Sequence, residues 1–201
     1  MMDVATVVKN AGSHFLLSCL PEWRPFPAIL RGKVRLEKSG STNPVAVGDI
    51  VRFLASDEEP EQNPAIITEV LPRKNYLIRK STNLSRQSHV IAANLDQAII
   101  VASLYFPELK MPFLDRILVT CEVYGIPAVI ALNKVDLYRE AAFEQFRSFV
   151  DIYTKAGYRV IPTSARTREG VDELRQLCHD KVSLFSGESG VGKSSLVKSI
   201  D

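Results

Sequence analysis

Nine consecutive residues, Gly187-Glu188-Ser189-Gly190-Val191-Gly192-Lys193-Ser194-Ser195, carry the densest chemical signal in a chain of 201 residues. The first eight fit the spacing GxxxxGK[ST], in which successive backbone N–H groups cradle phosphate oxygens. Gly187, Gly190 and Gly192 let the main chain approach an anion closely. Lys193 brings a point charge to β and γ oxygens and is the residue expected to act in catalysis. The Ser194 hydroxyl is a candidate Mg²⁺ ligand. A strand predicted at 182–186 and a helix beginning at Ser194 put this loop at a helix N-terminus. There the helix dipole adds roughly half a positive charge facing the phosphates.

A second set of residues, Asn133-Lys134-Val135-Asp136, follows a predicted strand at 128–132. The Asp136 carboxylate can accept two hydrogen bonds, from the N1–H and the exocyclic amine of guanine. Adenine has no matching pair of donors and would leave a desolvated carboxylate unpaired. The Lys134 stem is suited to cover a base face. Thr163-Ser164-Ala165 ends the next predicted strand, where Ser164 and Ala165 fit a loop that offers backbone N–H to the guanine carbonyl oxygen. Taken singly, 133–136 could be a polar loop capping a helix, and 163–165 signals nothing. Three motifs on successive strand ends, at the edge where ligands bind in open α/β sheets, carry the inference. Their order is inverted, because the base-reading motif lies upstream of the phosphate loop.

The elements that must position these residues come in two styles. Strands are predicted at 4–9, 14–20, 28–36, 49–55 and 65–71, separated by breakers at 11–12, 21–27, 38–44 and 56–64. Five short strands with basic residues on one surface point to a small oligonucleotide-binding (OB-like) β-barrel, with an SH3-like barrel or small sandwich as the alternative. From about residue 94 strands and helices alternate: strand 98–104, helix 112–124, strand 128–132, helix 140–156, strand 159–163, helix 171–177 and strand 182–186. Repeated βα units imply a parallel sheet. The aromatic stripe Phe143, Phe146, Phe149 and Tyr153 is expected in the core. The expected domains are a barrel at 1–72, a basic linker at 73–92 and an α/β P-loop domain at 93–201.

A net charge of +2 is too small to mark the whole chain as nucleic-acid-binding, but its distribution is uneven. Residues 71–92 carry Arg73, Lys74, Arg79, Lys80 and Arg86 with no acid. RNA contact is therefore expected through Arg31, Lys33, Arg35, Arg73, Lys74, Arg79 and Lys80. Three scattered cysteines, Cys19, Cys121 and Cys178, predict free thiols in a reducing cytoplasm. The largely apolar stretch 98–104 is far below the roughly 20 residues of a membrane span. No membrane partner is expected.

Val47-Gly48-Asp49-Ile50-Val51, Leu114-Asp115-Arg116, Asn133-Lys134-Val135-Asp136 and Gly187 to Ser195 together resemble the circularly permuted GTPases. Within them the chain is similar to the ribosome small-subunit-dependent GTPase A family, and the likeness runs nearly end to end. The resemblance implies an OB-like barrel, a circularly permuted P-loop GTPase domain and a C-terminal zinc domain. It also implies GTP and GDP with Mg²⁺ as ligands, and GTP hydrolysis stimulated by the small ribosomal subunit and its rRNA during late subunit maturation. A monomer in the cytoplasm is expected. No DxxG motif and no Cys/His zinc cluster occurs in these residues. A longer protein is therefore expected, with zinc only in a further C-terminal domain and negligible GTP hydrolysis by residues 1–201 alone. Two other readings stay open: a P-loop ATPase or kinase, and a non-catalytic RNA-binding module gated by nucleotide.

Overall fold

A computed structural model describes residues 2–30, 44–55, 63–80 and 88–201. The chain forms two compact units, Met1–Asn94 and Leu95–Asp201.

In the first unit, β1 (Met2–Ala11), β2 (His14–Ser18), β3 (Phe26–Leu30), β4 (Ile50–Leu54) and β5 (Ala65–Val70) close a barrel in the order β1-β2-β3-β5-β4. The β1–β4 pairing completes the ring, and β3–β5 is its parallel pair. Alternation fills the interior: β4 buries Val51 and Phe53 and turns Ile50, Arg52 and Leu54 outward. Val7, Phe15, Leu17, Ala28 and Ile67 join them in the core. The five-stranded OB-like barrel is thus the observed architecture. Boundaries differ: β1 runs to Ala11 in the predicted breaker 11–12, β2 ends at Ser18, and β3 begins at Phe26 inside the predicted breaker 21–27. Pro27 is accommodated as the second residue of that strand, opposite Leu16. Residues 31–36 of the predicted strand 28–36 lie outside the described residues.

The segment expected as a basic linker, 73–92, contains β6 (Tyr76–Lys80) and most of β7 (Ser88–Ala93), paired antiparallel. Its cations dominate the composition, yet Leu77 and Val90 are buried and supply the strand signal that net charge obscures. Within the same unit, the Ala93 N–H donates to Val47 O (2.9 Å), and Asn94 Nδ2 donates to Gly48 O (2.9 Å).

The second unit is a parallel four-stranded sheet in the order β10-β9-β8-β11. Its strands are β8 (Gln97–Ala102), β9 (Ala128–Leu132), β10 (Arg159–Pro162) and β11 (Ser183–Ser186). Every residue of β8 is buried, which its uninterrupted apolar run requires. The helices are α1 (Met111–Val123), α2 (Val135–Tyr138), α3 (Phe143–Lys155), α4 (Val171–Cys178) and α5 (Lys193–Ile200). In α1, Pro112 occupies the first turn, where its missing N–H breaks no helical bond. Leu114, Leu118 and Cys121 form its buried stripe. The helix predicted at 140–156 starts only at Phe143, which is 52% exposed. Phe146 sits beneath the Arg139 guanidinium, 5.1 Å from the ring centroid, so only Phe149 and Tyr153 of the aromatic stripe reach the core.

Among the described residues no helix is long and apolar enough to cross a membrane. Because all four strands run parallel, β8, β9, β10 and β11 deliver their following loops to one sheet edge.

Candidate functional site

The loop after β11 folds back on its own strand and meets α5 at Gly192, whose φ is +97°. A Cβ on Gly187 would lie 2.1 Å from Val101 O of β8, and one on Gly192 would lie 2.4 Å from Asn133 Nδ2. Side chains at these two positions would push the loop away from the sheet and from Asn133. The loop carbonyls are taken by side-chain donors. Lys193 Nζ donates to Gly187 O (3.0 Å) and Glu188 O (2.6 Å), and Lys134 Nζ donates to Gly190 O (2.6 Å). Glu188 is paired with Lys110 at 3.4 Å. The Leu196 N–H bonds Gly192 O at 3.0 Å. The N–H groups before it belong to the first turn, which has no intrahelical acceptors and forms a donor face for an anion.

Asn133 is the buried tie of the site. Its Nδ2 donates to Val191 O (2.8 Å) and its own N–H to Ala102 O (2.7 Å). Its Oδ1 accepts from Thr163 Oγ1 (3.3 Å) and its carbonyl from the Tyr138 hydroxyl (2.8 Å). One side chain thereby links the ends of β9 and β10 to the phosphate loop. Burial pushes the Tyr138 hydroxyl up to about 12, so it stays a donor at neutral pH. Lys134 adopts left-handed backbone (φ 65°), an uncommon conformation for a residue with a side chain. Its ammonium bridges Gly190 O and Phe106 O, joining the loop after β8 to the phosphate loop.

Asp136 lies two residues further on, its side chain 10% exposed. Its Oδ1 accepts from Ser164 Oγ (2.6 Å) and its Oδ2 from Arg166 Nε (2.8 Å). The Ser164 bond, followed by Arg166, holds the carboxyl below its ordinary value although burial acts the other way. A cavity of about 380 Å³ opens here, lined by Lys134, Asp136, Ala165, Arg166, Gly192 and Ser195 among others. The carboxylate and the phosphate loop therefore border one space, with Ser164 also on its wall.

The structure brings together Asn133, Lys134, Asp136, Ser164, Ala165 and the loop 187–195. Val135 is buried, and its N–H donates to Thr163 O (3.2 Å), so it fixes backbone. Ser189, Gly190, Ser194 and Ser195 are exposed on the loop and the start of α5. The seven basic residues expected at RNA do not form one described surface. Arg31, Lys33 and Arg35 lie outside the described residues, as do the side chains of Arg79 and Lys80. Lys74 is exposed. Arg73 is bonded through Nε and Nη2 to the buried Asp49 (2.6 and 2.7 Å), so its charge is paired inside the first unit.

Sequence reasoning missed Arg166 and Phe106 at this site. Arg166 follows Ala165 directly and could have been found by extending that motif by one position. Phe106 contributes only a carbonyl, for which no side-chain pattern exists. Trp23, the single tryptophan, is 67% exposed in a loop held by Ser18, whose Oγ donates to Glu22 O (2.8 Å) and accepts the Arg24 N–H (3.1 Å). Among the described residues no three His, Cys, Asp or Glu side chains converge, so the zinc implied by resemblance has no ligand set in them.

A family model described as RsgA GTPase matches residues 70–201. The chain is 43% identical over 194 residues to the small ribosomal subunit biogenesis GTPase RsgA of Bacteroides fragilis, covering 96% of this chain and 61% of that protein. It is 42% identical to the protein of the same name from Flavobacterium johnsoniae, covering 98% of this chain and 60% of that one. The chain thus spans about three-fifths of the length of these curated relatives. Among solved structures, YjeQ from Thermotoga maritima aligns with all of this chain and 66% of its own, with a TM-score of 0.78 and 31% identity. YloQ, a circularly permuted GTPase, aligns with 98% of this chain and 63% of its own, with a TM-score of 0.71 and 28% identity.

Proposed function

Because the chain belongs to the RsgA GTPase family, we propose that it binds GTP and GDP with Mg²⁺ at this sheet edge and hydrolyses GTP in small-subunit maturation. The carrying observation is one cavity bordered at once by the Asp136 carboxylate and by Gly192 and Ser195 of the phosphate-loop region. A guanine nucleotide needs those two features within reach of each other. The residues fit the ligand chemically: a loop in which Gly187 and Gly192 leave no room for Cβ, a first helical turn of free donors, and an ionised acceptor pair.

Asp136 takes the guanine N1–H and amine, Ser164 holds the carboxylate, and the Ala165 backbone approaches the carbonyl oxygen. Lys134 covers the base with its stem, while Asn133 holds the phosphate loop in register through Val191. Gly187 to Ser195 enclose the phosphates, with the Lys193 ammonium delivered from beside Gly187 and Glu188. Mg²⁺, when bound, supplies charge neutralisation at the phosphates, and Ser194 is its ligand from this chain. The partner is the small ribosomal subunit and its rRNA, which stimulate hydrolysis late in maturation. Lys74 and Trp23, with Arg31, Lys33, Arg35, Arg79 and Lys80, give the first unit its RNA contacts. The protein acts as a monomer in the cytoplasm, away from membranes. The relatives' names support the small-subunit partner, and the barrel architecture supports RNA contact by the first unit.

Asp136→Asn tests the base site. It should lower GDP affinity roughly a hundredfold, since two donors lose a charged acceptor, and should favour xanthosine diphosphate. Equilibrium titration with both nucleotides measures this, and undiminished GDP affinity would remove Asp136 from the base site. Stimulation of GTP hydrolysis by purified small subunits tests the partner.

A further inference from the structure

The guanine-accepting role of Asp136 is the premise here. That carboxylate is not bare. Ser164 Oγ donates to Oδ1 at 2.6 Å, and Arg166 donates to Oδ2 through Nε at 2.8 Å, with its Nη2 on the same oxygen. The two partners differ in kind. Ser164 is buried and fixed in place, because its Oγ also accepts the Thr167 N–H (3.1 Å). Arg166 is 70% exposed and lines the same cavity as Asp136.

A guanidinium presents adjacent, coplanar N–H donors, a geometry matched to a carboxylate. The N1–H and exocyclic amine of guanine present the same pattern. Arg166 places two such donors on Oδ2, an oxygen guanine also needs, so the two compete for it, whereas the single Ser164 hydroxyl on Oδ1 leaves a lone pair there for guanine. Neighbouring arginines are engaged elsewhere: Arg139 with Glu169, and Arg168 with Ser199 O. Ser164 reaches only Oδ1, so the partly desolvated Oδ2 would lack a donor, and Arg166 supplies it.

We propose that Arg166 is a built-in stand-in for guanine, so that nucleotide loads by exchanging places with its guanidinium on Asp136. The Arg166–Asp136 contact then acts as a brake on loading. It sets how fast the site fills without reading which base fills it.

Stopped-flow binding of a fluorescent GDP analogue to the parent, Arg166→Ala and Arg166→Lys tests this. Arg166→Ala should raise the association rate roughly two- to fivefold, the range expected for removing an exposed ion pair. The dissociation rate should stay within experimental error. Arg166→Lys keeps the charge without the fork and should fall between the two. Raising salt should bring the association rates of parent and Arg166→Ala together, because the exposed pair is screened. Unchanged association in Arg166→Ala would overturn the proposal. So would slower association or faster dissociation, either of which would make Arg166 a clamp on bound nucleotide. If the parent binds no guanine nucleotide at all, the guanine reading of Asp136 fails instead, a result distinct from normal binding with unaltered rates.

Discussion

In the barrel unit Asp49 meets Arg73, and in the sheet unit Asp136 meets Arg166. The residue types are the same, and both carboxylates are withdrawn from water. Asp49 is fully buried and Arg73 is 12% exposed, joined fork to fork at 2.6 and 2.7 Å. Asp49 Oδ2 also accepts the Ala46 N–H (2.8 Å), and the guanidinium lies 5.9 Å from the Tyr76 ring centroid. In the other pair the arginine stands mostly in solvent and both of its donors fall on one oxygen. What separates a clasp from a site is where the cation resides. A sealed arginine leaves no path for exchange, whereas an exposed one leaves the carboxylate within reach of a ligand.

The largest expected effect breaks the sealed pair. Arg73→Ala leaves Asp49 buried without its counter-ion and should destabilise the barrel unit by about 3–5 kcal/mol. Arg166→Ala should alter stability by no more than about 1 kcal/mol. Urea unfolding of the two variants against the parent measures both. Equal losses would show that exposure does not distinguish the pairs.

A smaller effect concerns how the site around Asp136 is held. Tyr138→Phe removes the hydroxyl that donates to Asn133 O and should lower stability by about 0.5–1.5 kcal/mol. GDP affinity should fall by less than about tenfold over the same range, because Asn133 keeps its bond to Val191 O. A variant with parental stability and affinity would show that the buried network contributes no support to the open pair.

What was legible in the sequence follows from how each feature is encoded. The phosphate loop and Asn133 to Asp136 are contiguous, because consecutive backbone groups and one strand end do the positioning. The two inner parallel strands, β8 and β9, show as largely apolar runs, since both faces are covered. Pairings across distance are not encoded this way. Arg73 and Lys74 are adjacent basic residues, and only the fold shows that Asp49, 24 positions upstream, engages one of them. Charge counting placed both on an RNA surface. The β6–β7 pair was obscured for a related reason: the cations of its segment outweigh Leu77 and Val90 in composition, although those two residues are buried. Phe106 acts through a carbonyl, which every residue has.

The smallest expected effect sharpens the comparison within Asp136 itself. Its carboxyl lies below the ordinary 3.8, first because Ser164 donates to it and then because of Arg166, while burial pulls it upward. A carboxyl depressed on folding adds stability that is fully present above its unfolded value and is lost as pH falls through its folded value. In the parent that contribution should therefore persist to pH 3.8 and fade only below it. Arg166→Ala should move the midpoint part-way upward and make it less sensitive to salt, since the Ser164 bond remains and outweighs burial. The carboxyl carbon shift of Asp136, followed by NMR from neutral to acid pH, reads the midpoint directly. A midpoint in Arg166→Ala at or above 3.8 would mean that the arginine alone holds this carboxylate, and Asp136–Arg166 would then be a fixed pair like Asp49–Arg73.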